Sequence, residues 1–463
     1  MCSYRCATWT AGLAFFSLLT VFQRGEAQVS IGADLSFVPR LEFLGAEYRD
    51  GGTPQSALQI FSANGYQIVR LRLWHTPEEP WQGLDSTLAF AQRAANAGFD
   101  LLLDLHYSDT WADPAHQLKP AAWQSLTFST LVDSVYHYSN AVIRRFRDAG
   151  ALPRYVQIGN EITGGMLWDE GRVGGEFDTP QQWGQFGALL SAGVAGIRDS
   201  LPAEMRPQII LHIDRGGDNA ACQWFFDHVL AEGVEFNVIG LSYYPWWQGT
   251  LAQLQNNLND LAARYDKDLQ IVETAYPWTL EWNDDTGNIV GEESQLLPQY
   301  PATPAGQRSF LQDLLSLAEA TPNQRCKSVI YWEPAWISVA GFGSAWENLA
   351  LFDFNGNGLP ALDFGMAVNP RRSSYAVSEL QIQAWPNPSN ATAIFSLSLP
   401  HDALVSLTIY DLNGRQVRDV VQESFTAGLH TIPFDGHELP SGLYFFRLMA
   451  GTNECTQKLV LLK

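Results

Sequence analysis

From Ser30 to about Phe364 the chain alternates short apolar runs with longer amphipathic segments. The runs cover residues 31–37, 68–74, 101–107, 155–161, 208–214, 238–245, 270–276 and 328–332. Each is close to continuously apolar until its far end, as expected of a parallel strand buried on both faces. Between them, residues 54–64, 84–97, 126–149, 180–200, 221–232, 251–265 and 303–320 repeat apolar positions at helical spacing. Eight strands interleaved with helices predict an α/β fold, a (β/α)8 barrel of the TIM type. A doubly wound open sheet competes on the same pattern. It would call for a Gly-rich phosphate turn after the first run, and none follows it.

In such a barrel the C-terminal strand ends form the working face, so their polar residues are the first candidates for function. The second run carries Arg70, Arg72 and Trp74 on one face, and the third carries Asp104 and His106 before a loop with Trp111. The fourth ends in Asn160 and Glu161, the sixth in Tyr243 and Tyr244 before Trp246 and Trp247, the seventh in Glu273 and the eighth in Trp332. Asn-Glu at one strand end is a weak signal, since most such glutamates sit in salt bridges. Glutamates at the ends of runs four and seven of eight form a more specific pattern, because those strands face each other across the mouth.

Paired carboxylates in that arrangement suit hydrolysis of a glycosidic bond. A retaining enzyme needs one protonated carboxyl and one ionised carboxylate about 5–5.5 Å apart. Glu161 takes the acid/base role, Glu273 the nucleophile role, and Asn160 a hydrogen bond to the sugar 2-hydroxyl. Arg70 and Arg72 are expected to hold Glu273 ionised, while burial or repulsion raises the pKa of Glu161. His106 orients a carboxylate or bonds a hydroxyl. Pyranose C–H faces pack on aromatic rings, so Trp111, Trp246, Trp278 and Trp332, from a chain with 16 Trp, are expected to line the cleft beside Tyr243 and Tyr244.

The flanks are different in kind. Residues 1–27 combine Arg5, an apolar stretch and Ala27 before Gln28, the pattern of a secretory signal peptide. Residues 365–383 have linker composition, and from 384 to 463 short alternating strands with Asn413-Gly414 and Asp435-Gly436 turns predict a small all-β sandwich. A net charge of −21 argues against nucleic acid and anionic membrane as partners and favours a neutral polymer. Beyond the leader, Cys222, Cys326 and Cys455 are too few for a disulfide framework, and buried thiols are the expectation for the first two.

The barrel resembles the arabinogalactan endo-β-1,4-galactanases, glycoside hydrolase family 53. The matching stretches include Gly32-Ala-Asp-Leu-Ser-Phe37, Val69-Arg-Leu-Arg-Leu-Trp74, Gln157-Ile-Gly-Asn-Glu161, Val272-Glu-Thr-Ala-Tyr-Pro-Trp278 and Trp332-Glu-Pro-Ala-Trp336. The resemblance implies endo-hydrolysis of β-1,4-galactan with retention, Glu161 as acid/base and Glu273 as nucleophile. Related β-glycanases on mannan or glucan, and a non-catalytic glycan-binding protein, are the alternatives. No cofactor is expected for catalysis. The resemblance also implies a structural calcium after strand seven, for which Asp284, Asp285 and Asn288 offer hard oxygen ligands. The C-terminal region resembles the type IX secretion sorting domain, on Trp385-Pro-Asn-Pro388, Ser441-Gly-Leu-Tyr-Phe-Phe-Arg447 and Lys458-Leu-Val-Leu-Leu-Lys463. It implies export through that machinery to the cell surface or medium, and the expected enzyme is a monomer.

Overall fold

The computed structural model describes residues 29–365 and 381–462, apart from 386, 388, 390, 391, 400, 426, 427 and 452. The expected signal peptide and most of the expected linker lie outside the described residues. Eight parallel strands close into a barrel. They are β1 (Ser30–Asp34), β2 (Ile68–Leu73), β3 (Asp100–Leu105), β4 (Tyr155–Ile158), β5 (Gln208–Ile213), β6 (Val238–Tyr243), β7 (Asp268–Thr274) and β8 (Cys326–Tyr331). Closure comes from β1, which pairs with β8 through Ser30↔Ser328 and with β2 through Gly32↔Ile68.

Alternation along the strands sorts the side chains into two cores. Val69, Leu71, Leu73, Leu101, Leu103 and Leu105 face outward and join the buried faces of the surrounding helices in one large cluster. Ile68, Leu102, Tyr155, Ile210, Val238, Val272 and Ile330 face inward and form a separate plug. Beta strand β1 contributes no side chain to this plug at Gly32, where a Cβ would stand 3.0 Å from both Ile68 and Ile330. One layer nearer the C-terminal end, the inward positions become Arg70, Asp104, Gln157 and His212, all buried. The barrel interior thus changes from apolar to ionic over one pleat.

The helices begin where the sequence supplies caps. Pro180–Asp199 and Pro304–Glu319 each start on a threonine whose hydroxyl accepts a backbone N–H, with proline in the first turn. The helix expected from residue 54 instead starts at Ala57, because Ser56 and Gln59 form a capping box. Residues before it form a ribbon, Tyr48–Asp50 with Thr53–Gln55, preceded by a short helix at Val38–Phe43. Most strands end a few residues earlier than the apolar runs suggest. Tyr107, Glu161 and Glu333, just past β3, β4 and β8, take left-handed φ values of 51°, 48° and 46°. Non-glycine residues are held in that region only by strong surroundings, and such strain gathers at functional sites.

The C-terminal module contains two antiparallel sheets. One orders β9 (Gln381–Trp385), β10 (Thr392–Leu399) and β13 (Gly428–Asp435). The other orders β12 (Gln416–Phe425), β11 (Ala403–Tyr410), β14 (Gly442–Ala450) and β15 (Asn453–Leu461). Phe395 from the first sheet and Phe446 from the second meet in a shared core, 4.7 Å between ring centroids. Strand β9 begins within the stretch expected to be linker, and β12 is largely solvent-facing and shows little apolar alternation. No helix among the described residues is long and apolar enough to cross a membrane.

Candidate active site

Arg70 is the hub of the ionic layer. Its guanidinium reaches Asp34 at 2.7 Å, Asp104 at 2.8 Å, Glu273 at 2.9 Å and the Asn160 side-chain oxygen at 2.8 Å. Burying a cation is costly unless it is paired and hydrogen-bonded, and three carboxylates from three different strands meet that requirement here. His106 extends the network: its Nε2 faces Asp104 at 2.9 Å, and its Nδ1 accepts from Trp74 Nε1 and from the Ala112 N–H. That pattern assigns the ring proton to Nε2, so His106 orients Asp104.

Glu273 reaches this layer through an irregularity. In β7, Gln270 and Val272 point into the barrel, so strict alternation would send Glu273 outward. Between Leu241 and Ser242 the β6–β7 register shifts, and Ser242 pairs with Glu273. Such a bulge re-aims the side chain into the mouth. There Glu273 receives Arg70 on one oxygen and the Tyr244 hydroxyl on the other, at 3.0 Å.

Glu161 is held differently. Its Oε1 accepts from the Ser242 hydroxyl at 2.6 Å, and Ser242 lies 2.8 Å from His212 Nε2. Burial, then Arg70, lowers the His212 pKa, so the ring is neutral and can pass its Nε2–H to Ser242. Burial raises the Glu161 pKa well above the usual range, and the Glu273 and Asp214 charges add to the effect. Burial raises Glu273 as well, but Arg70 opposes it. With the guanidinium bound to only one of them, a proton shared by the pair resides on Glu161.

Both carboxyls line one cavity of about 330 Å³, with Arg72, His106, Trp111, Asn160, Tyr244, Trp247, Trp332, Trp336 and Trp346 among its walls. Of the expected sugar contacts, Arg72, His106, Trp111, Asn160, Tyr244 and Trp332 are therefore brought together with the two glutamates. Arg70 and Asp104 lie in the layer beneath. Asn160 spends one amide hydrogen on the Ala112 carbonyl at 2.8 Å.

Several expectations are corrected. Arg72 does not hold Glu273: its guanidinium pairs with Glu333 at 2.7 Å and sits 4.1 Å from the Phe37 ring centre and 4.6 Å from that of Trp111. Alternation gives Arg70 and Arg72 the same face but different heights, and only the lower one meets Glu273. Tyr243 falls on the outer face of β6, where its hydroxyl donates to the Gly249 carbonyl and its ring stacks on Phe310. Trp278 packs against Phe354 and donates to the Glu347 carbonyl, away from the cavity walls. Trp246 packs against Tyr244 and Trp346, and its neighbour Trp247 takes the cavity position.

Asp284, Asp285 and Asn288 form no ready ligand set. The Asp284 carboxylate accepts from Thr286 N, Ser338 Oγ and Ser344 N, Asp285 is exposed, and Asn288 donates to the Glu281 carbonyl. Among the described residues no group of three or more His, Cys, Asp or Glu is gathered as a metal site. The same loops do carry buried acceptors without a hydrogen-bond partner, Asn288 Oδ1 and Glu347 Oε2. Cys222 and Cys326 are separate buried thiols.

Trp247, which follows the sixth run but is not among the expected cleft rings, belongs to the site, as do Asp34, His212, Ser242 and Glu333, to which the sequence pattern assigns no role. Asp34 and Glu333 do stand at the ends of β1 and β8, the positions a barrel marks for function. Ser242 shares that position on β6, with only the residue type to leave its role unmarked.

Comparison with known proteins follows the same outline. The model of glycosyl hydrolase family 53 matches residues 30–364, and that of a secretion system C-terminal sorting domain matches residues 383–462. An uncharacterised protein of Niallia circulans is 46% identical over 341 residues, covering 72% of this chain and 92% of that protein. The arabinogalactan endo-β-1,4-galactanase of Cellvibrio japonicus is 39% identical over 346 residues, covering 72% of this chain and 89% of its own. The solved family 53 catalytic domain of Ignisphaera aggregans superposes with a TM-score of 0.69 at 35% identity, covering 73% of this chain and 96% of that domain.

Proposed function

The chain belongs to glycosyl hydrolase family 53, and from that premise we propose that it is an exported, retaining endo-β-1,4-galactanase in which Glu161 is the acid/base and Glu273 the nucleophile. The observation that carries the roles is the asymmetry of partners: a guanidinium at Glu273, a hydroxyl at Glu161. In the first step Glu273 attacks the anomeric carbon while Glu161 gives its proton to the departing glycosidic oxygen, leaving a glycosyl ester on Glu273. Since Ser242 donates to Glu161 Oε1, the proton sits on the other oxygen, free to face the bond being broken. In the second step Glu161 takes a proton from water as that water attacks the ester, and both carboxyls return to their starting states.

Galactan as the substrate is supported by the likeness to the Cellvibrio japonicus arabinogalactan endo-β-1,4-galactanase. A panel of β-1,4-galactan, mannan and cellulose tests it, with galacto-oligosaccharides expected from the first polymer alone. Proton NMR of the earliest products tests the stereochemistry: β-anomers are expected, and initial α-anomers would remove the ester intermediate.

The remaining parts of this reading concern the whole protein. Residues 1–27 direct the chain across the inner membrane, the C-terminal module hands it to the secretion machinery, and the enzyme works as a monomer. A structural calcium in the loop after β7 remains part of the proposal on the unpartnered Asn288 and Glu347 oxygens alone; Asp284 and Asp285 would have to leave their present positions to join them, and the ion takes no part in the reaction. Chelation is expected to lower the melting temperature; an unchanged melting curve would dismiss the ion.

A further inference from the structure

The rings around the cavity form one connected series. Phe37, Trp111, Trp332 and Trp336 crowd around Arg72 on the side of β1, β2, β3 and β8. From Trp332 the series continues through Trp346, 4.6 Å away, and Tyr244 to Trp247 on the turn after β6. It is 59% exposed although it lines the same cavity as Glu161 and Glu273. The turn that carries it is defined by its backbone N–H, which donates to the Tyr244 carbonyl at 3.0 Å, and its ring meets Tyr244 edge-on at 5.5 Å. An indole held against Tyr244 and left uncovered beside the buried Glu273 and the half-buried Glu161 is a surface shaped for a ligand.

The anchoring of the carboxyls gives that surface a direction. Glu273 is drawn toward β2 by Arg70, whereas Glu161 is drawn toward β6 by Ser242. The departing oxygen must lie within hydrogen-bond reach of Glu161, so the leaving sugar lies over the β6 side of the cavity. Ser242 and Trp247 belong to that strand and the turn that follows it. Ile289, 39% exposed and in the loop after β7, adds apolar surface to the same cavity.

Resting on the glycosidase reading above, we propose that Trp247 is the platform for the leaving-side sugar, stacking its ring on the C–H face of a neutral β-linked hexopyranose. The arrangement makes Trp247 a determinant of polymer cleavage, and of how well an acceptor sugar competes with water for the glycosyl ester.

The experiment compares wild type, Trp247→Ala and Trp247→Phe on two substrates. One is whichever β-glycan of the panel the wild type cleaves; the other is the matching β-biosyl fluoride, whose leaving group carries no sugar. For Trp247→Ala, kcat/KM on the glycan is expected to fall about tenfold further than on the fluoride, with Trp247→Phe recovering most of the difference. An equal loss on both substrates, or no loss on the glycan, overturns the assignment. Failure of the wild type on galactan overturns the substrate reading instead, and leaves the Trp247 comparison intact.

Discussion

Glu161 and Glu273 are the same side chain in one cavity, and their neighbours alone make them different. Glu273→Gln is expected to lower kcat on galactan by roughly a thousandfold or more, because no other carboxylate faces the anomeric carbon. The same change removes a negative charge beside Glu161, so the Glu161 pKa is expected to fall; carboxyl resonances followed by NMR against pH measure that. Glu161 also bears on stability. Its pKa in the folded protein is raised, so the folded state binds more protons than the unfolded one. Stability is therefore full below the unfolded carboxyl pKa and is lost as pH rises toward the folded value. Glu161→Gln keeps an acceptor for Ser242 and removes that penalty. It is expected to be inactive yet more stable by about 1–2 kcal/mol at pH 7, with the gain absent near pH 4, as read by denaturant melts.

At the scale of elements, the eight strands were legible because the apolar runs are long and separated by helices with their own caps. The polar strand ends were legible for the same reason, and they brought Glu161, Glu273, His106 and Trp111 to one site. What escaped depends on height and bulges. Arg70 and Arg72 share a periodicity, and nothing in the periodicity says which reaches the layer of Glu273. Trp246 and Trp247 are adjacent indoles, and only the turn after β6 decides which one faces the carboxyls. The loops after β7 and β8 are joined by Asp284, which collects donors from Thr286, Ser338 and Ser344. Asp284→Ala leaves those donors without their acceptor and is expected to cost about 1–3 kcal/mol. Limited proteolysis should then cut between residues 284 and 345 well before the wild type is cleaved there.

For the whole molecule, the catalytic contacts described here all come from residues 34–347, and the C-terminal module has its own core. A protein ending at residue 365 is therefore expected to keep kcat/KM on galactan within about twofold of the full chain. A loss of tenfold would mean that the module shapes the cleft. In the exporting cell the same truncation is expected to abolish release, measured as galactanase activity in the medium.

The closing pair of the barrel sets when chemistry can begin. Asp34 on β1 and the Phe37 N–H beyond it meet Arg70, Arg72 and Glu333 only once β1 lies against both β2 and β8, and the Phe37–Glu333 contact spans 296 residues. Until then Arg70 lacks one of its carboxylates and Arg72 lacks the partner that seats it beneath the Trp111 ring. Contacts of such separation carry a large loop-closure entropy cost and slow folding. A chain still in transit, with its ring open, carries both glutamates and no working site. The working site is thus a property of the closed ring and not of any one strand, since its ionic layer draws on both ends of the barrel sequence.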